Sequence, residues 1–119
     1  MSVSAEQLRD RTKQFALRII KLYRALPKTG EARVLGNQLL RSGTSVAANY
    51  RAAGRARLRA ELASKIGTVV EEADETVFWL ELTVDAGLMH RTRMEGLLKE
   101  ANELLAIFAV SHGTARSRR

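Results

Sequence analysis

Along four separate stretches of this chain, apolar residues recur at alternating spacings of four and three, and that spacing dictates helices. Leu8, Thr12, Phe15, Ile19, Leu22 and Leu26 step by 4-3-4-3-4, which keeps one side of an α-helix turned inward. Ser4 and Gln7 ahead of them form a capping-box pattern. Pro27, the chain's one proline, ends this first helix, because its ring cannot continue the hydrogen-bond ladder. Pro27 to Gly30 then read as a turn, with Thr29 as cap of a second helix from about Glu31 to about Ala53. Its inward stripe is Leu35, Leu39, Ser42, Val46 and Asn49. Gly54 interrupts the pattern, and Arg55 to Arg57 form a connector. The third stretch, about Leu58 to Ala86, turns Leu62, Ile66, Val69, Ala73, Thr76, Leu80 and Val84 inward. Gly87 supplies its stop, since glycine accepts a left-handed backbone there. Thr92 and Glu95 give a second capping-box pattern, and Met94, Leu97, Ala101, Leu104 and Phe108 define a fourth helix closed by Gly113.

Four helices with short connectors predict an all-α fold, an antiparallel up-down-up-down four-helix bundle. Helices of about 20 residues give a bundle roughly 30 Å tall. The 119 residues fit one domain, read as a bundle over 1–113 and a basic, disordered tail over 114–119. There are no cysteines, which excludes disulfides and thiolate zinc sites. No apolar run has signal-peptide length or approaches the ~18 residues of a membrane span. The reading is a cytoplasmic protein with no membrane partner.

Catalytic and metal-binding constellations are missing. Bundles that hold two metal ions use Glu-x-x-His pairs. The two histidines here, His90 and His112, each lack a glutamate three residues earlier. Glu71, Glu72, Asp74 and Glu75 would spread over more than half of a helix circumference, as a solvated or salt-bridged face does. The run Ser-Gly-Thr-Ser at residues 42–45 lacks the strand and the lysine of a phosphate loop. The sequence therefore predicts no catalytic residues, no metal, no cofactor and no small-molecule substrate.

Three features exceed what a lone bundle needs. The first is the segment Val77, Phe78, Trp79, Leu80, Glu81, Leu82, apolar nearly all round the helix, where a monomeric bundle shows one stripe. Phe78, Trp79 and Leu82 are thus candidate interface residues for a homo-oligomer; the alternative lays Trp79 along the bundle edge. The second is a polar insertion, Arg41, Ser42 and Asn49, in a helix whose inward positions call for leucine. Buried polar groups left unbonded cost about 1–3 kcal/mol, so Asn49 is read as a clamp on a carboxylate or on the Trp79 indole. Ser45 is read as bonding back to its own helix. Small residues beside them, Ser42, Gly43, Ala47 and Ala48, let a neighbouring helix approach closely. The third is charge. The chain carries 20 Lys and Arg against 13 Asp and Glu, a net +7. Residues 28–60 hold seven basic groups and one acid; residues 61–90 hold one base and seven acids. Part of this split is expected to pair internally.

The run LLRSGTSVAANYRAAGRARLRAEL, followed by KIGTVVEEADETVFWLEL, resembles the 23S rRNA intervening-sequence proteins, also called four-helix bundle proteins. The match falls on Leu39, Arg41, Ser42, Thr44, Ser45, Val46, Ala48 and Asn49, then Gly54, Glu72 and Glu75. Ala53 stands where many members have an acid. The resemblance implies a cytosolic bundle assembled as a ring-like homopentamer. Some members of the family are encoded inside rRNA genes, and similar bundles accompany diversity-generating retroelements and bind nucleic acid. It implies no enzymatic activity.

Two functions follow. One is an oligomeric RNA- or DNA-binding module using Arg51, Arg55, Arg57 and Arg59, with the tail Arg116, Arg118 and Arg119. Binding would be mainly to phosphate and weakly sequence-specific, because few aromatics interleave the cations. The alternative is a protein-interaction scaffold with no nucleic-acid role, built on the surplus apolar face and the acidic third helix.

Overall fold

The computed structural model describes residues 3–117. It contains α1 Ala5–Ala25, α2 Gly30–Ala53, α3 Arg59–Asp85 and α4 Arg91–Ser117, and no strand among the described residues. Helices pack in chain order, α1 on α2, α2 on α3, α3 on α4. A looser α1–α4 seam closes the bundle, and α1 and α3 stand at opposite corners with no Cα atoms within 8 Å of each other. Connectors of four, five and five residues reverse the chain each time, which makes neighbours antiparallel. The body measures 48 × 27 × 20 Å.

The helix ends follow local chemistry. Ser4 Oγ accepts from the Gln7 N–H at 3.0 Å, and Gln7 Oε1 accepts from the Ser4 N–H at 2.9 Å. Thr29 Oγ1 accepts from the Ala32 N–H at 3.2 Å. Gly87, at φ 75°, ends α3 in a left-handed turn. Its N–H donates to Val84 O at 3.0 Å while that of Leu88 donates to Thr83 O at 3.1 Å, the paired bonds of a Schellman motif.

Two ends differ from the reading of the sequence. The fourth helix begins at Arg91, so Thr92 lies inside its first turn instead of capping it. Met89, buried just before, pins where the chain turns back into the bundle. Gly113 does not stop this helix, which continues to Ser117. An interior glycine costs only about 1 kcal/mol relative to alanine, and nothing crowds this one. The segment expected to be disordered is helical over Thr114–Ser117; Arg118 and Arg119 lie outside the described residues.

The stripes expected of α1 and α4 are buried throughout. In α2 the inward line is Ala32, Gly36, Leu39, Ser42, Gly43, Val46 and Ala53, with Leu35 and Asn49 only half-buried. This helix lies between two neighbours, so its small residues turn to α1 and its larger ones to the centre. Leu62 is exposed rather than inward, because the first buried residue of α3 is Ile66 and the last of α4 is Phe108. Beyond those two residues, α3 and α4 project past the core. Buried hydroxyls stay with their own helices. Thr12, Ser42, Thr76 and Thr83 donate to Leu8, Gln38, Glu72 and Trp79 carbonyls at 2.9, 2.8, 2.7 and 2.7 Å.

The seams differ in kind. Between α1 and α2, a methyl added to Gly43 would sit 2.8 Å from Ile19 Cγ1, and one on Gly36 would sit 2.9 Å from the Tyr23 ring. Between α1 and α4, Arg11 Nε and Nη2 donate to the Glu100 carboxylate at 2.8 and 2.7 Å, and Nη2 reaches Glu103 at 2.8 Å. The hydrogen bonds from Arg11 hold the Glu100 carboxyl below the ordinary range, against the opposing effect of burial.

Gly43→Val is expected to destabilise the bundle by about 1–3 kcal/mol, the usual cost of overpacking. Ile19 meets the new side chain with its branched carbon and cannot swing aside. Urea unfolding followed by circular dichroism measures the loss.

Candidate nucleic-acid interface

The short connector between α2 and α3 places four arginines at one end of the bundle. Arg51 lies in the last turn of α2, Arg55 and Arg57 in the connector, and Arg59 opens α3. All four are exposed, and among the described residues none joins an ion pair. The Arg55 N–H bonds to Ala52 O at 3.0 Å and the Ala56 N–H to Ala53 O at 3.1 Å, so the connector starts as a continued turn that fans these side chains outward. Glu61, the nearest acid in sequence, is exposed and unpaired with any of them.

Folding brings further cations to this end. The Arg9 guanidinium lies beside Gly54. Arg9, Lys13 and Arg51 rim a hollow of about 450 Å³ floored by Thr44, Ala47 and Ala48, with Asp10 the acid in its wall. On the other side, Arg59 and Arg116 share an open hollow of about 820 Å³ with Ala60, Ala63 and Gly113. The arginines therefore do not converge on a point; they spread positive potential over the whole end. Arg9 was missed from sequence because it is remote along the chain; the antiparallel topology was the available signal. Tyr50 offers no platform for a base, since its ring lies 5.1 Å from that of Phe108. Burial pushes its phenol up, with Arg9 pulling the other way.

The polar clamp is rearranged. Arg41 of α2 bridges to Glu72 of α3 at 3.1 Å and also to Glu75, and the Trp79 Nε1–H donates to Glu75 Oε1 at 3.3 Å. Ser42 is buried but bonds to its own helix. Asn49 reaches neither a carboxylate nor the indole: its Nδ2 donates to Ser45 O at 2.9 Å. Asn49 lies eight residues beyond Arg41, about 12 Å along the helix, whereas Glu75 and Trp79 stand level with Arg41. Internal pairing of the α2 and α3 charges is thus carried by Arg41 alone among the described ion pairs.

The candidate interface segment is two-faced. Val77 and Leu80 are buried, Phe78 is 51% exposed, and Trp79 and Leu82 are half-buried. Phe78 and Trp79 meet edge to face with centroids 5.0 Å apart. His90 is exposed, and the His112 ring packs over Gly67. Among the described residues no group of His, Asp and Glu is arranged to hold a metal ion. None of the described helices is long and apolar enough to cross a membrane.

Residues 6–109 match the family of 23S rRNA-intervening sequence proteins. The chain belongs to this family. A crystal structure of a protein with unknown function from the S23 ribosomal protein family of Bacteroides thetaiotaomicron VPI-5482 is similar throughout. It is 32% identical, covers 92% of this chain and 97% of its own, and superposes with a TM-score of 0.84. No curated protein matches. The family and the all-helical bundle are as the sequence predicts. Neither comparison brings a catalytic activity to this intervening-sequence protein.

Arg41→Ala should lower stability by no more than about 1 kcal/mol, as expected of a half-exposed ion pair. It should also alter the emission of Trp79, because Glu75 loses the cation that positions it against the indole; fluorescence and thermal melting report both effects. Asn49→Leu should melt within about 0.5 kcal/mol of the parent, the range of surface substitutions away from special features. A large loss on melting would show that Asn49 does more than bond to its own helix.

Proposed function

We propose that this chain is a non-enzymatic, oligomeric, cytoplasmic bundle that binds RNA or DNA through its basic end. The observation that carries the reading is the group Arg51, Arg55, Arg57 and Arg59, exposed together and free of ion pairs among the described residues. Arg9 and Arg116 extend it across the bundle end. Exposed arginines held apart by a rigid helical frame suit a row of phosphates, each guanidinium offering a planar fork of donors. With no aromatic platform, the recognition is of backbone charge, with little sequence preference. The name of the family ties it to intervening sequences of 23S rRNA, which favours RNA as the first nucleic acid to test.

Self-association is part of the proposal. Phe78 is the motive: a large aromatic, half exposed in the C-terminal third of α3 and next to the half-buried Trp79 and Leu82. The resemblance implies a homopentamer, and a ring would multiply the basic ends. The scaffold reading shares this assembly, denies the arginines a nucleic-acid role and offers the acidic third helix to a basic protein partner.

If roughly four to six phosphates are contacted, raising salt from 50 to 200 mM should weaken binding by about two to three orders of magnitude. Arg55→Glu combined with Arg57→Glu should remove most binding while leaving helicity and particle mass unchanged. Fluorescence anisotropy with a labelled RNA and with a DNA of equal length measures both effects. Loss of the particle itself in that variant would assign the arginines to a contact between subunits, in favour of the scaffold reading.

A further inference from the structure

Two outward ridges, on helices at opposite corners of the bundle, carry opposite charge, each around one apolar residue. On α3, Glu71, Asp74, Phe78, Glu81 and Asp85 follow a 3-4-3-4 spacing and are all exposed. This ridge is acidic throughout, with one aromatic at its centre. On α1, Lys13, Leu17, Lys21 and Arg24 are likewise exposed on one side, a basic ridge with one aliphatic residue at its centre. Leu17 is 49% exposed and Phe78 51%. None of Lys13, Lys21 and Arg24 is ion-paired among the described residues, nor are Glu71, Asp74 and Glu81; Asp85 approaches only Arg91, at 3.7 Å.

Two of the three offsets match as well as the signs, and the third differs by one residue. Relative to Leu17, cations stand at −4, +4 and +7. Relative to Phe78, acids stand at −4, +3 and +7. With Leu17 laid on Phe78 and the helices parallel, Lys13 faces Asp74, Lys21 faces Glu81, and Arg24 faces Asp85. One turn beyond, Asp10 would meet Glu71, so favourable pairing ends there. In an antiparallel bundle, α1 and α3 run in the same direction. A rotation about an axis along the bundle therefore brings them together in this parallel sense.

We infer that the α3 ridge of one copy docks on the α1 ridge of the next. The inference rests on the self-association proposed above and deepens it by naming the receiving surface. Since α1 and α3 stand at opposite corners of the bundle, their exposed surfaces point away from each other. The contact is heterologous, head to tail, and each added copy leaves one ridge of each sign free until the series closes. A second copy is the occupant because both halves of the complementarity are written on one chain. Charge sets register and pairing, and the Leu17–Phe78 contact supplies the dry centre.

The test is paired charge reversal, read by light scattering coupled to size exclusion, with circular dichroism confirming that every variant is helical. One variant carries Lys13→Glu, Lys21→Glu and Arg24→Glu; another carries Asp74→Lys, Glu81→Lys and Asp85→Lys; a third carries all six. The expected result is a monomer for each single-ridge variant and recovery of the parent mass for the six-fold variant. Single-ridge variants that keep the parent mass overturn the ridge contact and leave self-association standing through another face. A six-fold variant that stays monomeric also overturns it. A parent chain that is itself monomeric at micromolar concentration overturns both the ridge contact and the self-association on which it rests.

Discussion

The closeness of α1 to α2 is the constraint on which the other seams depend. Gly36 and Gly43 present no side chains, so Tyr23 and Ile19 settle almost against the α2 backbone. Drawing α1 onto α2 leaves α4 with a looser hold on α1, and that seam is closed by charge. Arg11 straps α1 to Glu100 and Glu103. The opposite side of the bundle, from α2 through α3 to α4, is closed by the apolar core as far as Ile66 and Phe108, with Arg41 spanning the α2–α3 seam. One flank of α1 is therefore sealed by shape and the other by a strap.

Polar chemistry is sorted in the same way. Hydroxyls that are buried return to the carbonyl one turn earlier on their own helix, so they ask nothing of neighbouring helices and specify no pairing. Groups that reach between helices sit at half-exposed seams, as Arg41 does with Glu72 and Glu75. In such places an ion pair contributes little stability but penalises a wrong rotation or height of one helix against another. The remaining charge is left for the outside. It divides into a basic end, a basic ridge on α1 and an acidic ridge on α3. The proposed anion contact at the end and the proposed contact between copies along the sides both rest on this division.

Much of the architecture was legible in the sequence because helix formation and capping are local. The 4-3 spacing marked all four helices, and Ser4 with Gln7, Thr29 and Gly87 act at the ends where they stand. The exposure of Arg51, Arg55, Arg57 and Arg59 was legible too, since a short charged connector has nowhere to go but outward. Two local signals were misleading for physical reasons. Thr92 loses its capping role to the anchoring of Met89, and Gly113 lacks the crowding or the partner bonds that would make it a stop.

By itself, then, the sequence determined where helices run, which stripe of α1 and of α4 turns inward, and how charge divides between the two middle helices. All of these follow from chemistry within a few residues. Only the tertiary structure decided which polar groups meet. Asn49 and Arg41 share a helix, yet the height of α3 against α2 gives Glu75 and Trp79 to Arg41 and leaves Asn49 to its own backbone. Likewise, it alone brought Arg9 and Arg116 to the arginine end and set the α1 and α3 ridges back to back. Those placements depend on the relative rotation and rise of whole helices, which side-chain volumes at the seams fix and no single residue records.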